Sequence, residues 1–228
     1  MAGFAGFDSS DYPGDRAIDW LKANTNLRFC GYYLGPAPNH GGKSWMGKRQ
    51  RLAGAGWGIV PIYVGEQKGG NLSAQKGTTD GNDAAAMASD QGFGPGTFVF
   101  LDLEEGPPFD SARQTYVAAW CDALTAQSYA PGVYCSHGFA ADMHQLRPQA
   151  RIWAFKVPST DAHPIAGAPF PTPDPSGSGF PGAVIWQREQ NGLFTVPLTP
   201  PVTLKIDLNV ATTPDPAAPA PAPAALTA

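Results

Sequence analysis

The chain has 228 residues, 43% of them hydrophobic and only 15% charged. That is ample for one sizeable core, and it excludes a chain that is disordered throughout. A formal charge of −4 gives no general electrostatic reason to bind nucleic acid or an anionic membrane, and no apolar run approaches the ~20 residues that span a bilayer.

Residues 3–8 (GFAGFD) read as a first strand that ends on Asp8. A helix is predicted over 14–24, where Ile18 and Leu21 are three apart. The run 28–34 (RFCGYYL) is a second strand, 44–55 a basic amphipathic helix, and 58–64 (GIVPIYV) a third strand. A long loop over 65–79 precedes an Ala-rich helix at 80–91, with Asp80 and Asp83 complementing the dipole at its start. The fourth strand, 97–104, leads into the clearest helix, 110–128, capped by Asp110 or Ser111 and striped by Tyr116, Trp120, Ala123 and Leu124. Four more strands are predicted at 131–136, 151–157, 183–188 and 203–208. Between the second and third of these, residues 158–182 are too rich in Pro and Gly for an ordinary helix. From residue 212 to 228 the Pro/Ala-rich composition predicts a disordered tail, leaving 1–211 as one domain.

About eight strands alternating with helices predict an α/β fold, a (β/α)8 barrel with an irregular segment in place of a helix at 158–182. The competing open doubly wound sheet would be favoured by a GxGxxG turn, and the first strand is followed by FDSSDYPG instead. In a barrel both long loops follow strands and would border the mouth, where length and flexibility discriminate between substrates.

Chemistry is concentrated at the strand ends. In FVFLDLEEG the apolar run stops at Asp102, and alternation puts Phe98, Phe100, Asp102 and Glu104 on one face. Two carboxyls on a buried face repel and lose hydration, which separates a protonated acid from an ionised one. Asp8 closes the first strand, and Asp207 with Asn209 closes the last (LKIDLN); barrel closure makes those two strands neighbours. If Asp207 faces inward, alternation turns Lys205 inward below it, a tension that a bulge or an ion pair with a rim carboxylate would relieve. Tyr33, Tyr63, Tyr134 and Trp153 are candidates to pack on sugar, Tyr134 and Trp153 on inward parity, and Gln187 to hydrogen-bond it; core packing is the alternative for each aromatic. Paired acids without a Ser–His or Cys–His partner suit glycoside hydrolysis. The three cysteines, Cys30, Cys121 and Cys135, read as buried thiols, with a Cys121–Cys135 disulfide as the weaker alternative, and the four histidines as ordinary residues outside any metal site.

The motifs GFDSSDYPGDRAIDWLKA, FVFLDLE, PGVYCS, VIWQ and KIDLN resemble the corresponding strands of family 25 glycoside hydrolases, the lysozyme-type muramidases. Over roughly 3–211, with GTTDGNDAAAMASDQG before the acidic strand, the chain more closely resembles bacterial glycoside-hydrolase-like domains of unassigned function. The resemblance implies a barrel in which Glu104 is the acid/base, Asp102 stabilises the reacting centre, and Asp8 and Asp207 support them. It implies a bacterial cell-wall glycan as partner and no cofactor. The loops GEQKGGNLSAQKG and 158–182 depart from the muramidases, so the muramidase substrate does not carry over. A monomer is expected. The N-terminus lacks a signal-peptide pattern, so the export route is open while action at the envelope or outside the cell is expected. Two other readings remain at this point: a barrel that binds glycan without cleaving it, and a hydrolase whose rim carboxylates hold Mg²⁺ or Ca²⁺.

Overall fold

The computed structural model describes residues 2–219. Its strands are β1 (Phe4–Asp8), β2 (Leu27–Tyr33), β3 (Gly58–Val64), β4 (Phe98–Asp102), β5 (Ala130–Ser136), β6 (Arg151–Phe155), β7 (His163–Pro164), β8 (Ala183–Val196) and β9 (Val202–Ala211). The helices are α1 (Asp15–Asn24), α2 (Arg49–Gly54), α3 (Ala74–Asp90), α4 (Ser111–Ala126) and α5 (Ala140–Leu146). Strands β1 to β6 pair in order and in parallel, β9 joins β1, and β8 closes the ring onto β6. The result is the expected closed eight-stranded barrel, with β7 as an added edge.

One strand runs against expectation. β9 is antiparallel to both β1 and β8. Only 197–201 separate it from β8, and a parallel return needs a crossover of a dozen or more residues. Segment 158–182 does replace a helix. It leaves the top of β6, pairs β7 with β8, and reaches the opposite end, where the Phe170 backbone bonds Asn26 and the Thr172 carbonyl accepts from Gly3 N–H. Its first residues lie near the mouth and its middle at the opposite end, and Gly179 returns beside His137, just past the top of β5.

Helix α3 begins at Ala74, capped by Ser73, six residues before the predicted start. Gly77 makes 74–79 read as loop, and Gly81 follows it within the predicted helix. A Cβ on either would meet an α4 carbonyl (Tyr116 O at 2.3 Å, Trp120 O at 2.6 Å), so close packing on α4 outweighs their weak helix propensity. Helix α2 is shorter than predicted, because 43–48 form turns.

The lumen is filled by Phe29, Val60, Ile62, Phe100, Trp153 and Ile185, while a larger apolar layer lies between the sheet and the helices. The end opposite the strand tops is closed by residues that composition assigned to a tail. Ala217 is buried against the lumen cluster and its carbonyl accepts from Phe98 N–H at 2.9 Å. The Arg151 guanidinium, 3.6 Å from the centre of the Phe98 ring, donates to the carbonyls of Pro216 (2.6 Å) and Ala218 (2.9 Å). The expected free tail thus begins no earlier than residue 219, because these carbonyls and Ala217 close the barrel; 220–228 lie outside the described residues. Arg151→Met should lose about 1–2 kcal/mol, a fall of about 3–6 °C in melting temperature. Thermal denaturation decides, and an unchanged Tm would mean that the seal holds without this side chain.

The cysteines are free and buried, as read. Among the described residues no helix is long and apolar enough to cross a membrane.

Candidate active site

At the strand tops a pocket is lined by Asp8, Tyr33, Ile62, Asp102, Glu104, Tyr134, Trp153, Gln187, Gln190 and Asp207. The register explains the gathering. Val64, Asp102, Tyr134 and Trp153 are successive cross-strand partners on β3 to β6, so they share the inner face at one level. Asp8 pairs directly with Asp207 across the antiparallel β1–β9 ladder. Gly31 gives Asp8 its space, since a Cβ there would lie 2.6 Å from that of Asp8.

The two acids are held by different donors. Asp8 accepts from the Tyr33 hydroxyl (2.8 Å) and from the Asn209 amide (2.7 Å), and Asn209 in turn accepts from the Trp153 indole N–H (3.0 Å). Asp207 accepts from the Gln187 amide (3.0 Å) and the Asn191 backbone N–H (2.7 Å). Burial, with Asp207 adding repulsion, pushes Asp8 up to about 8 despite its donors. Burial raises Asp207 less, to about 6, because Asn191, Lys205 and Gln187 favour its charge.

Asp102 is different again. It is buried, its Oδ1 has no hydrogen-bond partner, and burial followed by the charges of Glu104, Asp8 and Asp207 lifts it well above the carboxylate range. The role the resemblance gives Asp102 needs an ionised carboxylate, which donors such as the Tyr33 hydroxyl and the Asn209 amide would support. Those donors go to Asp8 instead. Glu104 lies one residue beyond Leu103, outside the strand, with its side chain exposed over the pocket. Glu105 turns away to pair with buried Arg113 at 3.0 Å.

Of the proposed sugar contacts, Tyr33, Tyr134, Trp153 and Gln187 line the pocket and Asn209 supports Asp8 from behind. Tyr63 does not. It pairs in register with Leu101, faces the helices, and donates to Asp83 at 3.0 Å. β3 is buried on both faces, so no apolar–polar alternation marked which side was inward; Ile62, beside Phe100, occupies the position given to Tyr63. Tyr63→Phe should accordingly leave glycan affinity unchanged, whereas Tyr33→Phe, which strips a donor from Asp8, should weaken it several-fold; titration of soluble glycan fragments separates the two, and equal losses would contradict the assignment.

The Lys205 tension disappears with strand direction. In an antiparallel β9 Lys205 lies beyond the mouth and not below it, exposed, where its charge favours ionised Asp207. Neither long loop supplies a lining side chain. They reach the rim by hydrogen bonds, from Gln67 to the Asp102 carbonyl and from the Asn191 amide to the Thr160 carbonyl. Gln190 and Asn191, which sequence reasoning missed, lie where β8 bulges, a distortion without a signature in QREQNG.

The model of the Rv2525c-like, glycoside hydrolase-like domain matches residues 19–190. The chain belongs to this family. Among solved structures, an uncharacterized protein of B. stearothermophilus is 19% identical with a TM-score of 0.65, covering 92% of this chain and 96% of that one. The Tat-secreted protein Rv2525c of Mycobacterium tuberculosis, in complex with L-tartrate, is 14% identical with a TM-score of 0.63 over 94% and 97% of the two chains. A bacterial lysozyme from Streptomyces coelicolor is 15% identical, TM-score 0.60, over 93% and 94%. No curated protein sequence matches the chain. At these identities the likeness is one of fold, and it places this glycoside hydrolase-like domain beside lysozyme barrels.

Proposed function

We propose that the domain is a glycoside hydrolase acting on a bacterial cell-wall or envelope polysaccharide. The observation that carries this reading is the convergence of four carboxyls with differently tuned surroundings on one pocket faced by Tyr33, Tyr134, Trp153 and Gln187. Aromatic faces take the apolar side of a sugar ring, and the amide takes a hydroxyl. Glu104, exposed at the entrance, reaches the glycosidic oxygen and donates the proton. Asp207 supplies the negative charge facing the oxocarbenium-like centre. Asp102, the resemblance's choice for that task, is buried with its Oδ1 unpartnered, and burial and the neighbouring acids disfavour its charge. Asp102 and Asp8 frame the pocket floor.

The test is release of reducing ends from purified cell-wall polysaccharides. Activity needs Asp207 ionised, so kcat/KM should rise with pH through about 6, following that carboxyl. Asp207→Asn should abolish the limb along with most turnover. A flat profile across pH 5–7 would remove Asp207 from this role.

A second reading is favoured by one feature. Glu104 stands exposed on a segment outside the sheet and no side chain within the pocket bonds its carboxyl. A barrel that only grips glycan would look the same, and it predicts binding without product. The metal-dependent alternative lacks a ligand set. Among the described residues no group of three or more His, Cys, Asp or Glu is disposed to hold an ion, and Asp8 and Asp207 spend their oxygens on amide and hydroxyl donors.

A further inference from the structure

Glu104 is placed by something other than the sheet. The β3–β4 ladder ends at the Val64–Asp102 pair, so past that point no strand holds the Glu104 N–H. The Gln67 side chain takes over. Its Oε1 accepts from Glu104 N–H at 3.1 Å while its Nε2 donates to the Asp102 carbonyl at 2.8 Å. A primary amide has the donor and acceptor of a peptide group, and here it extends the ladder by one rung that the backbone does not make.

The loop carrying Gln67 is itself anchored. The Gly65 carbonyl accepts from the Asn39 amide at 2.8 Å, and Glu66 N–H donates to the Tyr116 hydroxyl at 3.0 Å. That hydroxyl donates to Asp80 Oδ2 at 2.7 Å, and buried Asp80 pairs with Lys76, also at 2.7 Å. On the far side of Glu104, Glu105 accepts from Lys68 N–H and pairs with Arg113, which also donates to the Gly106 carbonyl at 3.2 Å. Residues 104–106 are thus gripped from the loop and from α4, and the rung nearest the reacting carboxyl is the Gln67 amide.

We propose that Gln67 is a positioning residue, whose amide clamps the 102–104 backbone and so aims the Glu104 carboxyl into the pocket. This rests on the role given to Glu104 above. Misplacing a reacting group by about 1 Å can cost ~10²-fold in rate. Glutamate at this position keeps the acceptor for Glu104 N–H, loses the donor to Asp102, and adds a charge beside two other acids.

The experiment uses Gln67→Met, which keeps length and removes these two hydrogen bonds together with a longer one to the Gly65 carbonyl at 3.4 Å, with Gln67→Glu beside it. Two readouts are taken: kcat and KM on a cell-wall glycan that the wild type cleaves, and hydrogen exchange at the Glu104 amide in the unliganded protein. Expected for Gln67→Met are a 10- to 100-fold loss in kcat with KM and Tm held, and at least tenfold faster exchange at Glu104 alone. Gln67→Glu should keep more of that protection and move the pH profile upward. Wild-type kcat in Gln67→Met, or unchanged exchange at Glu104, would overturn the clamp. If the wild type cleaves no glycan, the hydrolase reading falls separately, and the exchange result still decides whether Gln67 holds Glu104 in place.

Discussion

Glu104→Gln is expected to lower glycan hydrolysis by about 10²–10⁴-fold while leaving glycan affinity within a few-fold of wild type. The amide keeps the shape of the side chain and has no proton to give to a leaving oxygen. The position makes the effect specific, because Glu104 is exposed at the pocket and its side chain supports no other part of the fold. Glu105→Gln is the informative control. Its carboxylate neutralises Arg113, which is only 3% exposed, so its loss should destabilise the protein by a few kcal/mol by leaving a buried charge unpaired, and reduce activity only as far as folding suffers. Reducing-end assays with binding isotherms on the same glycan read both. Comparable turnover in the wild type and Glu104→Gln would exclude this residue as the proton donor.

Asp102→Asn is expected to stabilise the protein at neutral pH. A buried carboxyl raised above its unfolded value is favoured in the folded state while protonated. Its contribution is fully present below about pH 4 and is lost as pH rises toward the folded pKa, at up to about 1.4 kcal/mol per pH unit. Asp102 is raised well above the usual range and has an oxygen with no partner; Asp8, raised to about 8, adds to the same slope. The amide cannot ionise. Melting temperature of the variant should therefore exceed that of the wild type by about 2–6 °C near pH 8, for a gain of ~1–2 kcal/mol, with the gap closing toward pH 4. A gap independent of pH would show that ionisation of Asp102 does not limit stability. A stabilised, catalytically impaired variant is the usual signature of a site built at the expense of the fold.

The barrel and its acids were legible because they leave strong local marks. Apolar runs of strand length recur between helical segments, and a carboxyl ending such a run has no reason to be there in a simple core. Direction and facing were harder. Nothing within VTLKIDLNVA says which way β9 runs; β8 continues eight residues past its predicted end, and the short connection this leaves at 197–201 turns Lys205 from a buried liability into a surface charge. GIVPIYV is apolar on both sides, so Tyr63 was given the wrong face. The start of α3 was hidden by Gly77, whose purpose lies on another helix. Gln67 was invisible for a related reason, since its hydrogen bonds join segments 35 and 37 residues away. The shifts of the acids follow first from how deeply each is buried and then from the charges and donors around it, and those depend on side-chain geometry.

The seal at the base of the barrel also sets the molecule's polarity as an object. Residues 216–218 bind the end opposite the pocket, so they lie at the back of the domain, a strand's length of roughly 17 Å from the cleft. An addition made at that end would lie clear of the pocket. A fluorescent protein, a surface tether or a second module fused after residue 219 should therefore leave the entrance open, whereas the same addition at the 197–201 turn would hang from the hairpin above it.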